Sequence, residues 1–125
     1  MKIVLDNIVF GLQKSGGVST LWYELLKRFE PFEKGTYFLD YYEGNDNIYR
    51  KILNIPGNHI LNKNERGSIL KFRYTNPKLS NFDAPFIFHS SYYRFCRNRN
   101  AINVTIVHDF TYEYYSKGLA RFVHS

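Results

Sequence analysis

Residues 1–29 read MKIVLDNIVFGLQKSGGVSTLWYELLKRF, and this stretch decides the fold. Residues 2–10 form two apolar runs with a polar interruption, which predicts a strand buried on both faces. Residues 11–17 hold three glycines and predict a loop. Over 18–29 apolar side chains recur every three or four residues, which predicts an amphipathic helix that Pro31 ends. A strand, a loop and a helix in this order open an α/β unit.

The rest of the chain continues this alternation of strands and helices. We expect further strands at 36–42, 59–61, 85–89 and 103–107, helices at 48–53 and 68–74, and the first turn of another helix at 119–123. The pattern favours an α/β fold with a mostly parallel sheet flanked by helices. No repeat or low-complexity linker interrupts residues 1–125, so we expect a single domain.

The composition is that of a basic chain with many aromatic residues. Its 125 residues include 17 Lys+Arg against 11 Asp+Glu, a formal net charge of +6, together with 11 Tyr and 11 Phe. The hydrophobic fraction of 44% is enough for a sizeable core and argues against intrinsic disorder. The charge suits nucleic acid, an anionic membrane surface or phosphorylated substrates, and composition does not choose among them.

Several classes of protein are disfavoured by the residues present. A single cysteine, Cys96, forms no internal disulfide and makes a cysteine-based metal site improbable. The four histidines lack metal-ligand spacing and no Asp-x-Asp pair occurs, so we expect no metal and no cofactor. No apolar run approaches the roughly 20 residues of a membrane span, and the N-terminus does not read as a secretory leader. We therefore expect a cytoplasmic protein, with peripheral contact at the inner face of the cell membrane left open.

Three loops are expected to open on one edge of the sheet: residues 11–17, 89–91 and 108–109. In parallel sheets ligands bind outside the carboxyl ends of the strands. The first loop could bring backbone N–H groups at a helix N-terminus close to an anionic or sugar ligand, or it could be only a tight turn. Gly17 and Val18 stand where a phosphate-binding P-loop needs Lys and Ser or Thr, so the NTPase interpretation fails.

His108 and Asp109 end a buried strand at this same edge. A histidine there can hydrogen-bond a hydroxyl or transfer a proton near neutral pH, and we favour this over a histidine that merely ends a strand. His89, Ser90 and Ser91 lack the Gly-x-Ser-x-Gly context of a hydrolase nucleophile. We expect them to shape the cleft or to cap the next helix.

The stretch at 92–99, Tyr-Tyr-Arg-Phe-Cys-Arg-Asn-Arg, mixes charge with aromatic rings. It could grip nucleic acid or a phosphorylated or lipid-linked acceptor. A solvated helix face with buried aromatic side chains is the commoner explanation and the one we favour. Elsewhere lysine and arginine are scattered instead of clustered, which weakens the case for nucleic acid.

Four motifs in order form a pattern that is similar to a known family. They are Met-Lys-Ile-Val-Leu-Asp at the start, Ser15-Gly16-Gly17-Val18, the segment Ile-Phe-His-Ser-Ser-Tyr-Tyr at 87–93, and Thr-Ile-Val-His-Asp-Phe at 105–110. Together they resemble the N-terminal domain of GT-B glycosyltransferases, in the large retaining family four. The resemblance spans most of the chain except residues 45–80.

The resemblance implies a Rossmann-like domain that is the acceptor-side half of an enzyme. Such enzymes transfer a sugar from a nucleotide donor, a UDP- or GDP-sugar, to a hydroxyl of a glycan or lipid-linked acceptor, often without metal. A second, C-terminal domain binds the nucleotide and is absent from residues 1–125. We therefore expect a transferase of polysaccharide or glycolipid biosynthesis when complete, and no meaningful activity from this chain alone.

The resemblance also implies roles for individual residues. Gly16 and Gly17 correspond to the loop near the donor phosphates and the acceptor. His108 resembles the histidine that contacts the donor sugar and assists transfer, with Asp109 orienting its loop. Ser90, Ser91 and Tyr92 are the further substrate-binding candidates.

Two other hypotheses stay open beside the transferase. One is a free-standing basic α/β module that binds nucleic acid or anionic lipid, for which salt-dependent binding would be the mark. The other is the nucleotide-binding domain of an oxidoreductase, which lacks the Gly-x-Gly-x-x-Gly fingerprint after the first strand. For the transferase we expect no nucleic-acid partner.

Overall fold

A computed structural model of the chain describes residues 1–41, 47–62 and 69–107. In these ranges four parallel strands form one sheet in the order β2-β1-β3-β4. The strands are β1 Lys2–Asp6, β2 Thr36–Leu39, β3 Phe86–Ser90 and β4 Ala101–Thr105. The helices are α1 Ile8–Leu12, α2 Gly17–Lys27, α3 Ile48–Ile52 and α4 Ile69–Arg73, with a 3₁₀ turn at Gly57–His59. The fold is thus α/β with a parallel sheet flanked by helices, as the sequence predicts.

Strand β1 lies inside the sheet and buries side chains on both of its faces. Leu5 packs with Trp22 and Leu26 of α2 on one face. Val4 packs with Phe86 and Phe88 on the other face. Successive side chains of a strand point to opposite faces, so a run of apolar residues is what a central parallel strand requires.

The predicted strand at 2–10 is wrong in its second half. β1 ends at Asp6, and Ile8 begins the short helix α1, which also takes in Gly11 from the predicted loop. The apolar side chains at 8–10 are fully buried in this helix. A short apolar run buried on all sides has no periodicity that separates a strand from a helix, which is why the sequence misled.

The predicted strand at 59–61 is also wrong. The structure has a 3₁₀ turn followed by one isolated bridge between Ile60 and Phe38. Beyond the bridge, the side-chain amide of Asn62 accepts from the Asp40 N–H at 2.8 Å and donates to the Asp40 carbonyl at 3.0 Å. A side chain thus replaces the backbone ladder that would have extended the strand.

The last strand begins and ends two residues earlier than the predicted 103–107. Asn98 sets its start, because its carbonyl accepts from Ala101 N and its side-chain oxygen accepts from Asn100 N. The other predicted elements are confirmed within one to three residues, namely α2, β2, α3, α4 and β3. The helix predicted from residue 119 lies outside the described residues. Across the described ranges, no helix has the length and apolar character needed to cross a membrane.

Candidate functional site

The carboxyl ends of β1 and β3 lie side by side, and their loops are joined by buried hydrogen bonds. Ser91 N donates to the Asp6 carbonyl at 3.0 Å. Val9 N donates to Ser91 Oγ, also at 3.0 Å. The segment after β1 and the predicted loop at 89–91 are therefore brought together at one edge of the sheet.

Gly16 and Gly17, which we call the glycine turn, lead into α2. Gly16 has φ 151° and ψ 170°, a conformation essentially restricted to glycine. Its carbonyl accepts from Thr20 N at 2.9 Å, Thr20 Oγ1 at 2.8 Å and Ser19 Oγ at 3.1 Å. Alanine at Gly16 would be strained by about 1–3 kcal/mol, so the backbone itself requires this glycine.

Among the described residues, nothing requires a glycine at position 17. Its φ is not positive, and a Cβ built there meets no atom within 4 Å. It is the first residue of the 11-residue helix α2, whose first turn has no acidic side chain. One N–H of that turn is already bound, because Ser19 N donates to Gln13 Oε1 at 3.4 Å. The first N–H groups of such a helix carry partial positive charge and suit an anion. The glycine turn therefore has open space beside Gly17, at an electropositive helix end that the Gln13 side chain partly caps.

The hydroxyls of Ser90 and Ser91 are fully buried. Ser90 Oγ donates to Asp6 Oδ2 at 2.7 Å and accepts from Tyr92 N at 3.1 Å. Ser91 Oγ accepts from Val9 N. Both side chains hold the loop in place, so a contact of either with substrate remains a prediction.

Tyr92 is half-buried and faces α4. Its hydroxyl accepts from Arg73 Nη2 at 2.9 Å, and the same guanidinium lies 5.3 Å from the ring centroid. Tyr93 packs edge-on against this ring at 4.9 Å. Tyr92 is thereby placed beside the sheet edge, held by a charge from the neighbouring helix.

A buried ion pair beneath this loop was missed by the sequence analysis. Arg94 Nε lies 3.3 Å from Asp6 Oδ2, and the two side chains are 2% and 0% exposed. Arg94 also donates to the Phe72 carbonyl and to the Tyr41 hydroxyl, each at 3.0 Å. One guanidinium thus ties β1, α4 and the segment after β2 together. The available signal was Asp6, a charged residue inside an apolar run.

The favoured interpretation of 92–99 as a solvated helix face is wrong. The segment has no regular helix, Arg94 is buried and Phe95 is 52% exposed. The buried Asp6 carboxylate draws the arginine inward, because a charge in the core needs a partner. Cys96 is also buried, which raises the pKa of its thiol.

His89 lies on the sheet face that α2 covers. Its ring meets Trp22 edge-on at 5.1 Å, and Trp22 Nε1 donates to Asn7 Oδ1 at 2.8 Å. Nε2 of His89 is buried and makes no hydrogen bond in the structure. Burial lowers the pKa of His89 below its ordinary value of 6.5, so the folded protein favours the neutral ring.

We expect stability to fall in acid because of His89. The neutral form is favoured in the fold, so its contribution is complete above pH 6.5 and is lost as the pH falls from there towards the lower pKa of the folded state. Denaturant unfolding at pH 7.5, 6.5 and 5.5 should show a smaller loss of stability for His89→Gln than for the wild type. Equal losses in both proteins would show that His89 does not carry this dependence.

His108 and Asp109, the predicted catalytic pair, lie outside the described residues. Within residues 1–41, 47–62 and 69–107 no group of three His, Cys, Asp or Glu side chains could hold a metal ion. Metal-free chemistry remains a prediction.

Comparisons with known proteins add no relative to this picture. No family model, curated protein or solved structure matches the chain.

Proposed function

We propose that the chain is the acceptor-side, Rossmann-like N-terminal domain of a retaining GT-B glycosyltransferase. The complete enzyme transfers a sugar from a UDP- or GDP-sugar to a hydroxyl of a glycan or lipid-linked acceptor. The motifs around the glycine turn, Ser90–Tyr92 and His108 support this proposal, as does their order along the chain. The parallel sheet β2-β1-β3-β4 is compatible with such a domain.

The observation that carries the proposal is the open space beside Gly17 at the N-terminus of α2, where Gln13 binds the N–H of Ser19. Gly17 has empty space in front of it, and no acidic side chain in the first turn neutralises the helix end. When the sugar leaves, negative charge grows on the departing diphosphate. N–H groups held in place at a helix N-terminus stabilise such charge.

The remaining residues have separate parts in this proposal, and the part of His108 comes from the family resemblance alone. Gly16 sets the backbone direction into α2 through its glycine-only conformation. Ser90 and Ser91 hold the neighbouring loop through their buried hydroxyls. His108 hydrogen-bonds a hydroxyl of the donor sugar and so orients the reacting carbon. The acceptor oxygen forms the new glycosidic bond as the bond to the diphosphate breaks, and the proton of the acceptor hydroxyl passes to an oxygen of the departing diphosphate.

The first experiment reads the coding sequence beyond the codon for Ser125. We expect a second α/β half, and the complete gene product should then be assayed for transfer from UDP- and GDP-sugars. A stop codon at that point would contradict the proposal. Absence of transfer from every such donor by a complete two-domain product would also contradict it.

The sharper test compares the two glycines in the complete product. Gly17→Val should lower kcat/KM for the donor at least about tenfold, because a side chain would keep phosphate oxygens away from the N–H groups. Its free energy of unfolding should stay close to the wild-type value, since nothing in the fold occupies that space. Gly16→Ala is the matched control for strain and should lose stability. Full activity of Gly17→Val would remove the glycine turn from the site.

The alternative of a basic module that uses the stretch at 92–99 for nucleic acid or anionic lipid loses one of the arginines on which it depends. Arg94, part of the basic and aromatic stretch on which it rested, is buried and paired with Asp6.

A further inference from the structure

A cleft of about 690 Å³ opens on the sheet face opposite α2, away from the glycine turn. We call it the α4 cleft. One wall comes from β2 and the segment after it, and the other from the end of α4 and the chain that follows. The described residues that line it are Leu39, Tyr41, Ile60, Leu61, Asn62, Lys71, Phe72, Thr75, Asn76, Pro77, Lys78, Leu79 and Arg94. Its volume is within the range of sites for small organic ligands.

The charged side chains among the described lining residues of the α4 cleft are all positive. Lys71, Lys78 and Arg94 are its ionisable cations, and none of the described lining residues is a carboxylate. Arg94 is compensated by Asp6 beneath it. Neither Lys71 nor Lys78 forms an ion pair with an acidic side chain of residues 1–41, 47–62 and 69–107. The rim therefore carries two uncompensated positive charges that attract an anion.

The lining of the α4 cleft is mixed, with apolar and aromatic side chains beside polar and charged ones. The Tyr41 and Phe72 rings lie 5.1 Å apart at their centroids, and Leu39 and Leu79 belong to the hydrophobic cluster below. An inorganic ion alone would leave this surface uncovered. A ligand that joins an anionic group to a ring or an alkyl chain would use both the rim and the interior.

The cleft is held in shape before any ligand arrives. Arg94 bonds Phe72 O on one wall and the Tyr41 hydroxyl on the other, and its ring contact with Tyr41 spans 5.3 Å. Phe95 N donates to Asn76 Oδ1 at 3.1 Å and fixes the end of the second wall. Because the walls are already held together, binding a ligand loses little conformational entropy, a loss that weakens binding at flexible sites.

From the two lysines, the aromatic and apolar part of the lining and the hydrogen bonds that join the walls, we propose that the α4 cleft binds a phosphate ester of an aromatic or aliphatic group. Lys71 and Lys78 bind the phosphate oxygens, and the organic group lies against Tyr41 and Phe72. The two positive charges of the lysines match the two negative charges of a phosphate dianion, whereas a carboxylate ligand would carry only one. Each ammonium pairs with a phosphate oxygen as a point charge. This site does not depend on the proposed transferase function.

The test uses the full 125-residue chain with phenyl phosphate as the probe. Calorimetry measures the affinity, and amide chemical shifts at Thr75 and Asn76 show whether the probe binds in the cleft. Phenyl phosphate should bind saturably and more tightly than either phenol or inorganic phosphate, and its affinity should fall with added salt. Lys71→Gln/Lys78→Gln should weaken binding at least about tenfold. Lys51→Gln on α3 removes the same kind of charge away from the cleft and should leave binding unchanged.

Two results would overturn the proposal. One is binding of phenyl phosphate no tighter than that of phenol, and the other is wild-type affinity in a folded Lys71→Gln/Lys78→Gln variant. Vesicles of phosphatidylcholine with phosphatidic acid then identify the source of the ester. If these vesicles displace phenyl phosphate, the ligand of the cleft is a lipid headgroup. If phenyl phosphate stays bound, the ligand is a soluble ester. Either assignment supports the site, and neither bears on sugar transfer.

Discussion

We expect Arg94→Met to lower the free energy of unfolding by about 3–5 kcal/mol, because it leaves the Asp6 carboxylate buried without its cation. Both side chains are almost completely inaccessible, at 2% and 0% exposure. The variant also loses the hydrogen bonds to Phe72 O and to the Tyr41 hydroxyl. A domain of this size has a total stability of about 5–15 kcal/mol, so the loss is a large part of it. Denaturant unfolding at pH 7 measures it.

The exposed pair of Lys27 and Glu24 provides the matched control. Its atoms are 3.9 Å apart and its side chains are 52% and 47% exposed, so Lys27→Met should cost less than about 1 kcal/mol. The double variant Asp6→Asn/Arg94→Met leaves no buried charge and should be more stable than Arg94→Met alone. A loss below about 1 kcal/mol in Arg94→Met would mean that the buried pair does not hold these elements together.

His108→Ala in the complete gene product should lower kcat by about 10²–10⁴-fold, the usual contribution of a positioned proton-transfer or hydrogen-bonding side chain. This prediction rests on the proposed transferase function. Initial rates at saturating nucleotide sugar measure kcat, and rates at low donor give kcat/KM. Because the histidine is expected to act on the reacting sugar, kcat should fall more than donor binding weakens.

His124→Ala is the control for the removal of a histidine near the same end of the chain and should keep wild-type turnover. His108→Gln, which retains a hydrogen-bonding group, should recover part of the lost rate. Unchanged turnover in His108→Ala would refute the role, whereas loss of folding in that variant would be visible by circular dichroism. If His108→Ala does not fold, the turnover of His108→Gln is measured in its place.

Much of the fold was readable because its signals are local. The helix at Gly17–Lys27 was predicted over 18–29 from its apolar spacing and from Pro31, and Trp22 and Leu26 are its buried apolar residues. The short strands at Thr36–Leu39 and Phe86–Ser90 were marked by β-branched and aromatic runs between turn formers. The errors fell where a side chain replaced the backbone ladder, as Asn62 does for Asp40, or where an apolar run was buried on all sides.

The candidate site was less readable. The sequence pointed to the glycine turn and to the serines after β3, and the structure brings the segment after β1 and that loop together through Val9 and Ser91. The sequence did not show that the Ser90 and Ser91 hydroxyls are turned inward. It also did not separate Gly16, which the backbone requires, from Gly17, which has open space before it. Spacing along the chain does not report which way a side chain turns.

The sequence by itself determined the alternation of strands and helices, because burial of apolar side chains imposes a period that neighbouring residues reveal. Only the tertiary structure decided which polar groups enter the core and what they meet there. Asp6 and Arg94 are paired because the register of β1 on β3 sets Asp6 opposite Ser90, and the loop that follows returns Arg94 to the carboxylate. A buried charge is tolerated only beside its partner, and that partner lies far along the chain, where no local pattern indicates it.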